Sequence, residues 1–368
     1  MKYNNIMKKL AKIFTITLIS SFIGIIIYLS INKIPFINFR NSYVHHNINI
    51  PNISNNSNKV PDTFTDTFLT TVAQTFKNSS PMNNEYDKIS DTITKTFSRD
   101  AKTIDISCSS ATLDFIIEDR DDIKVEYSYT KPDTPKYKVI YDTTYKNNTI
   151  KVTQSIKTLN FAGNISSDKY NNDITIYVPT DYTADTLIIK NSLGDINNSD
   201  FYNNVSNIDF YASLGNINIK FNSPKNLVTL DSSLGDISLN NNSTIKQLNV
   251  KASSGSINIT STGEINDVIA TDSMGDIDLE STEKINTCKL FASMGDIKAY
   301  FKKPIDKFNI RSNMGDIDMK LPKDQDINIY AKTSMGDIKS TFPILKDDET
   351  KNIYYLYCSM GDIDIKEY

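Results

Sequence analysis

The 368-residue sequence has no tryptophan, two histidines, three cysteines and twelve glycines. The histidines, His45 and His46, are adjacent in an Asn- and Ser-rich stretch and read as linker residues, with a metal-binding pair as the competing reading. Beyond them the chain lacks the side chain most often used as a general base. Cys108, Cys288 and Cys358 are too few and too scattered for a disulfide framework. None directly follows an apolar run, where a lipid-modified cysteine would sit, and small buried hydrophobes is the default reading for all three. Charge of one sign is also unevenly placed. Lys2, Lys8, Lys9, Lys12, Lys33 and Arg40 fall in the first forty residues with no acid, while the whole chain carries −4. The remainder therefore stands six below that value, at −10. So acidic a body is unsuited to nucleic acid, whose phosphates call for clustered Lys and Arg, and no nucleic-acid partner is expected.

Only one long apolar run is present. Ile13–Ile31 reads IFTITLISSFIGIIIYLSI without a charge, and as a helix it spans about 28 Å, roughly the thickness of a bilayer core. Lysines before it predict a cytosolic tail at 1–12, a transmembrane signal-anchor helix at 13–31 and everything beyond outside the membrane. A cleaved signal peptide is the alternative, but Tyr28, Leu29, Ser30 and Ile31 offer no small-residue cleavage site. Residues 32–88 are expected to form a flexible spacer containing Pro35, Pro51 and Pro61. Within it Phe64, Phe68, Val72 and Phe76, with Leu69, recur at helical spacing over 62–78. Its polar face carries only one basic residue, Lys77, which favours docking or self-association over lying on a membrane.

What is abundant is self-similarity. From residue 186 the motif recurs as NSLGDI, ASLGNI, SSLGDI, ASSGSI, DSMGDI, ASMGDI, SNMGDI, TSMGDI and CSMGDI. Nine of the twelve glycines occupy this one position: Gly194, Gly215, Gly235, Gly255, Gly275, Gly295, Gly315, Gly336 and Gly361. Their spacing is 20 or 21 residues, except for 25 before the last. Apolar residues stand seven, five and one before the glycine, except for Ser254, and isoleucine stands two after it in all nine. That period-2 alternation predicts strands buried on one face. One unit cannot bury its own apolar edge, whereas stacked units bury a continuous ladder. The predicted fold is all-β, a parallel β-helix or β-solenoid of nine rungs over 186–368, about 43 Å long at the usual strand spacing. Stacked in sequence order, the rungs leave the last one, YYLYCSMGDIDIKEY, at the open end, with Tyr354, Tyr355 and Tyr357 available for packing or docking.

Residues 89–185 carry less regular strand patterns at 103–107, 113–117, 123–129, 137–142, 148–154 and 173–178. These read as irregular first rungs and a hairpin that caps the N-terminal end of the stack, where a free edge would template pairing with another chain.

The candidate site residues are the turn glycines and the acids after them: Asp195, Asp236, Asp276, Asp296, Asp316, Asp337 and Asp362. Their structural reading is local, with Gly in a left-handed turn and Asp or Ser capping exposed N–H groups. The functional reading is a Ca²⁺ column of carboxylates about 5 Å apart. Asn216 and Ser256 interrupt that column, and the known Ca²⁺ repeat has a nine-residue period and more glycine. No cofactor and no metal are therefore expected, and no catalytic residue stands out.

The S-x-G-D-I repeats, preceded by ITIYVPTDYTADTLIIK at 174–190, resemble the bacterial putative-adhesin β-strand-repeat family over roughly residues 90–368. The resemblance implies a β-helix-like fold in a protein often anchored in the cell envelope, and it carries over no catalytic residue. Three functions follow for comparison. The first is a non-enzymatic surface module, binding or structural, anchored in the membrane and presenting a rigid face to cell-wall polymer. The second is an envelope-stress accessory that modulates a membrane sensor protein. The third, a carbohydrate-active enzyme, needs a converging acid and base that the uniform repeats do not single out.

Overall fold

The computed structural model describes residues 88–132, 137–158, 172–345 apart from 324 and 326, and 354–368. The expected tail, anchor helix, most of the spacer and the helical stripe at 62–78 lie outside the described residues. Among the described residues no helix is long and apolar enough to cross a membrane. The fold is all-β, with a 3-10 turn at Asp200–Asn204.

Upstream of the repeats run β1 (Lys88–Ser98), β2 (Thr103–Cys108), β3 (Thr112–Glu118), β4 (Asp122–Pro132), β5 (Tyr137–Lys146), β6 (Thr149–Thr158) and β7 (Asn172–Pro179). Each repeat then gives one strand before its glycine and one after. The first pairs are β8 (Ala184–Leu193) with β9 (Ile196–Asn197), β10 (Val205–Leu214) with β11 (Ile217–Phe221), and β12 (Lys225–Leu234) with β13 (Ile237–Asn241). Next come β14 (Ile245–Ser254) with β15 (Ile257–Ser261), β16 (Ile265–Asp272) with β17 (Ile277–Ser281), and β18 (Ile285–Met294) with β19 (Ile297–Phe301). β20 (Lys307–Met314) and β21 (Ile317–Leu321) precede β22 (Ile329–Met335), β23 (Ile338–Ser340) and the short β24 (Ile344–Leu345). The chain closes with β25 (Tyr354–Met360) and β26 (Ile363–Glu367).

Strands before the glycines stack into a 13-stranded leading sheet, and those after them into a nine-stranded trailing sheet. Pairing within the repeats is parallel and in register. Ile217, Ile237, Ile257, Ile277, Ile297 and Ile317 align rung on rung. Each is at most 1% exposed, and burying one such side chain contributes about 1.5–3 kcal/mol. The inner faces of both sheets supply one continuous core, from Ala101 to Ile365.

At the N-terminal end, β8 pairs with β2, β2 with β6, and β5 closes the leading sheet as an antiparallel hairpin partner of β6. A separate four-stranded sheet runs in the order β1-β4-β7-β3. Its β1 went unread in the sequence because the strand is mostly exposed and polar, with only Ile93 and Phe97 half-buried against the core. The trailing sheet stops at the two-residue β9, where the 3-10 turn takes over. Phe201 and Tyr202 of that turn are buried, with Phe201 stacked on Phe115 at 5.1 Å. Asn198 and Asn203 accept hydrogen bonds from the Lys220 and Asn222 N–H groups at 2.9 and 2.8 Å, standing in for the missing strand.

The C-terminal end departs from sequence order. β25 and β26 pair with β20 and β21 on one side and with β22 and β23 on the other. The last repeat is thus inserted beneath the penultimate one, and the rung of Gly336, not that of Gly361, ends the stack. Rungs of one register are interchangeable as neighbours, so length decides between them. The five-residue β26 lies inside and the three-residue β23 at the rim. Tyr354 packs on Phe308 with ring centroids 5.2 Å apart. Ile338, the outermost of the isoleucine ladder, is 38% exposed.

Candidate binding faces

The turn glycines stack in a single column. A Cβ at Gly235 would overlap the carbonyl of Gly215, and the same overlap recurs at every rung above the first, up to Gly361 on Gly315 and Gly336 on Gly361. Close approach of successive backbones is therefore the common reason for glycine. Conformation adds to it: φ is +140° at Gly194 and +144° at Gly255, a region distinct from the expected left-handed helical turn.

The acids after the glycines act between rungs rather than within the turn. Asp195 Oδ1 accepts from the Asn216 N–H at 2.7 Å, and Asn216 Oδ1 from the Asp236 N–H at 2.9 Å. Asp236 accepts from Ser256, Asp276 from Asp296, Asp296 from Asp316, Asp316 from Asp362 and Asp362 from Asp337, all at 2.7–2.9 Å. Asn serves as well as Asp because only one acceptor oxygen is used. One oxygen of each of these carboxylates is thereby committed to a backbone N–H. Among the described residues no group of three or more His, Cys, Asp or Glu is arranged to hold a metal ion.

Three residues before each glycine lies a second, buried column that the sequence reading passed over. Alanine fills it at Ala212, Ala252 and Ala292, and elsewhere a side chain can donate to the glycine carbonyl of the adjacent rung: Ser232 to Gly215 at 3.2 Å, Ser312 to Gly295 at 3.0 Å and Thr333 to Gly361 at 2.9 Å. Cys358 does so through Sγ to Gly315 at 3.0 Å, and burial pushes its thiol up to about 11. Asp272 occupies the same column, 1% exposed. Its Oδ1 accepts from the Met274 N–H at 3.0 Å, while Oδ2 is buried without a partner. Burial pushes this carboxyl up to about 7. Lys225 is likewise buried, in register with Ile245, with its Nζ 2.6 Å from Ser223 Oγ. Loss of solvent lowers it to about 8. Both departures were visible as breaks in repeating columns. Cys108 and Cys288 are also buried and free, and their thiols are raised by burial.

Facing outward, the two sheets form broad polar surfaces. The trailing sheet presents Asn218, Ser238, Asn258, Asp278, Lys298 and Asp318 in one aligned row. A shallow depression of about 180 Å³ lies on it, lined by Asn258, Thr260, Asp278, Glu280, Lys298 and Tyr300. Three of its lysines are paired: Lys298 lies 3.7 Å from Asp278, Lys302 4.0 Å from Glu280 and Lys366 2.6 Å from Asp364. Tyr300 donates to Asp318 at 2.8 Å, and its hydroxyl is pushed up to about 12 by burial and that neighbour.

A comparison with curated protein sequences returns no match. Among solved structures the chain is similar to a protein described as a putative adhesin from Parabacteroides distasonis. That pair shares 13% identity over 77% of this chain and 98% of the other, at a TM-score of 0.34. It is also similar to a putative adhesin from Bacteroides fragilis, with 16% identity over 62% and 97% of the two chains and a TM-score of 0.31. A putative cell adhesion protein from Clostridium sporogenes gives 13% identity over 76% and 100%, at a TM-score of 0.22. The stacked Gly-Asp turns fall inside the stretch matched by a family model over residues 101–365, and the chain belongs to that family, Toastrack DUF4097.

Proposed function

We propose that this chain is a membrane-anchored, extracytoplasmic surface module, non-enzymatic and adhesin-like, that holds a polymer of the cell envelope on one of its outer sheet faces. The observation that carries this reading is the in-register stacking of outward residues. Each rung repeats the same polar positions one strand spacing apart, about 4.8 Å, which suits an extended, repeating ligand better than a single small molecule. The uncharged run Ile13–Ile31 supplies the anchor in this reading.

The test uses the full-length chain in detergent micelles, sedimented with isolated cell-wall sacculi. Saturable co-sedimentation is expected, and an impermeant label should reach a C-terminal tag on intact cells. A chain that stays in the supernatant at every concentration, or a tag shielded by the membrane, would overturn the reading.

A second reading, an accessory that modulates a membrane sensor, is favoured by one feature. The rim rung leaves Ile338 and Met335 exposed, at 38% and 60%, beside the edge of β23, where a protein partner could add a strand. A photo-crosslinker at position 338 that captures one membrane protein in cells would support it, and scattered adducts would count against it.

A further inference from the structure

The two outer faces differ in how their charges are balanced. On the trailing sheet Lys298, Lys302 and Lys366 sit beside carboxylates, and acids such as Asp278 and Asp318 stand in the outward rows beside the remaining lysines. On the leading sheet, the four strands next to the two-residue terminal β24 are, in spatial order, β18, β20, β25 and β22. Their outward residues between Thr287 and Lys332 include Lys289, Lys307, Arg311 and Lys332 but no Asp or Glu. Among the described residues none of these four cations is in an ion pair. In a body of charge −10 this is a local inversion of sign.

Aromatic rings are interleaved with those cations. One row runs Phe291, Arg311, Tyr357, Lys332 and the next Lys289, Asn309, Tyr355, Tyr330, each in register across the four rungs. Tyr330 and Tyr355 are stacked, with centroids 5.3 Å apart and an interplanar angle of 15°. The Arg311 guanidinium lies 4.9 Å from the Tyr355 centroid and donates from Nε to Asn309 at 2.9 Å. Those contacts hold the side chain over the sheet and leave its remaining N–H groups unassigned. Beside these rows runs a column of small hydroxyl and amide side chains: Ser293, Asn313, Ser359 and Ser334. Ser359 donates to the Tyr357 hydroxyl at 3.2 Å.

We propose that this platform binds an acidic polysaccharide, its sugar rings against the tyrosines and its carboxylates on Arg311 and the lysines. Three features select that ligand class. Unpaired cations select an anion. Flat, half-buried rings offer stacking surface. The hydroxyl column matches a polyhydroxylic chain. Single-stranded nucleic acid shares the first two features, and the hydroxyl column is what favours a polyhydroxylic chain over it. The assignment rests on the reading of the chain as a polymer-binding surface module.

Full-length protein in detergent is titrated with polygalacturonate, with uncharged dextran and with oligo-dT. Saturable binding to polygalacturonate that weakens with salt is expected, together with weaker or no binding to the other two. The pair Lys289→Ala with Arg311→Ala, and separately Tyr357→Ala, should each weaken it about tenfold. Lys298→Ala with Lys366→Ala, on the opposite face, should leave it unchanged. All these side chains point outward, so unaltered melting curves control for folding. Absence of polygalacturonate binding, equal loss from the opposite-face pair, or tighter binding of oligo-dT would each overturn the platform. Wild-type protein that still sediments with sacculi when the platform variants do so equally well would sink the platform alone. Failure of wild type on sacculi would sink the broader reading.

Discussion

Asp272 shows how one side chain can depart from its column and still obey the column's geometry. Ser232, Ser312, Thr333 and Cys358 of that column donate to a glycine carbonyl, and a carboxyl can do so only when protonated. Gly255 O and Asp272 Oδ2 lie 2.2 and 2.9 Å from where a Cβ on Gly275 would stand, and a proton on Oδ2 would meet the demand there. The carboxyl is pushed up to about 7 by burial first, against the Met274 and Ser273 N–H groups that favour ionisation, with Asp276 and Asp236 adding to the rise. Because the folded chain holds this proton more tightly than the unfolded chain, it binds more protons between about pH 4 and 7. This group's contribution is therefore complete below pH 4 and is lost as pH rises through 7. Asp272→Asn keeps the acceptor for Met274 and supplies a permanent donor, as Asn191 does toward Ala111 at 3.1 Å. It should stabilise the protein at pH 8 by about 1–3 kcal/mol and have little effect at pH 4. Thermal melts of both proteins across that range measure the difference, and a variant less stable at pH 8 would mean that the buried carboxylate is ionised and matched. The Asp ladder makes a milder prediction. Asp296→Asn should be nearly neutral, because Asn216 already fills the same role. Asp296→Ala leaves the Asp316 N–H without its acceptor and should cost about 1 kcal/mol, lowering the denaturation midpoint.

At the level of elements, strands announce themselves where one face is buried, and fall silent where neither is. The repeats were legible because Leu187, Ile208, Val228 and their equivalents alternate with polar residues around an invariant glycine. By contrast β1 carries little inward signal, and the sequence did not reveal it. Nor could the repeats disclose their own spatial order, since equivalent rungs accept one another in any sequence; the only hint was the 25-residue spacing before Gly361. The ladder role of the acids was hidden for a related reason, because a side chain that caps its own turn and one that caps the next rung look the same in sequence. Rung order has a measurable consequence. β22 and β23 have a rung on one side only, apart from the short β24, so their amides should exchange hydrogen fastest among the repeats. Those of β25 and β26, although nearest the C-terminus, should be protected like interior strands. Hydrogen exchange read by mass spectrometry on peptides 329–340 and 354–368 decides this. Faster exchange in the second peptide would contradict the inserted order.

For the whole molecule, stability is close to a sum over neighbouring rungs, so the chain should tolerate loss of a complete unit but not of a fraction of one. β14, β16 and β18 pair with offsets of 20 residues, as do β15, β17 and β19. Deleting 265–284 therefore joins Glu264 to Ile285 and lays β18 on β14 and β19 on β15 with every inward residue still inward. It also removes Asp272 and its uncapped oxygen. A shortened, cooperatively melting β protein is the expected product, seen by circular dichroism and a single transition in calorimetry. Deleting 265–283 instead shifts the next strand by one residue and turns its apolar set toward water; that chain should aggregate or melt broadly. Removing 354–368 tests the same logic at the inserted rung. Because β22 and β23 rest on β25 and β26 rather than on β20 and β21, this truncation should unseat the Gly336 rung as well. Protection should then be lost in 329–340, whereas a stack in sequence order would keep it.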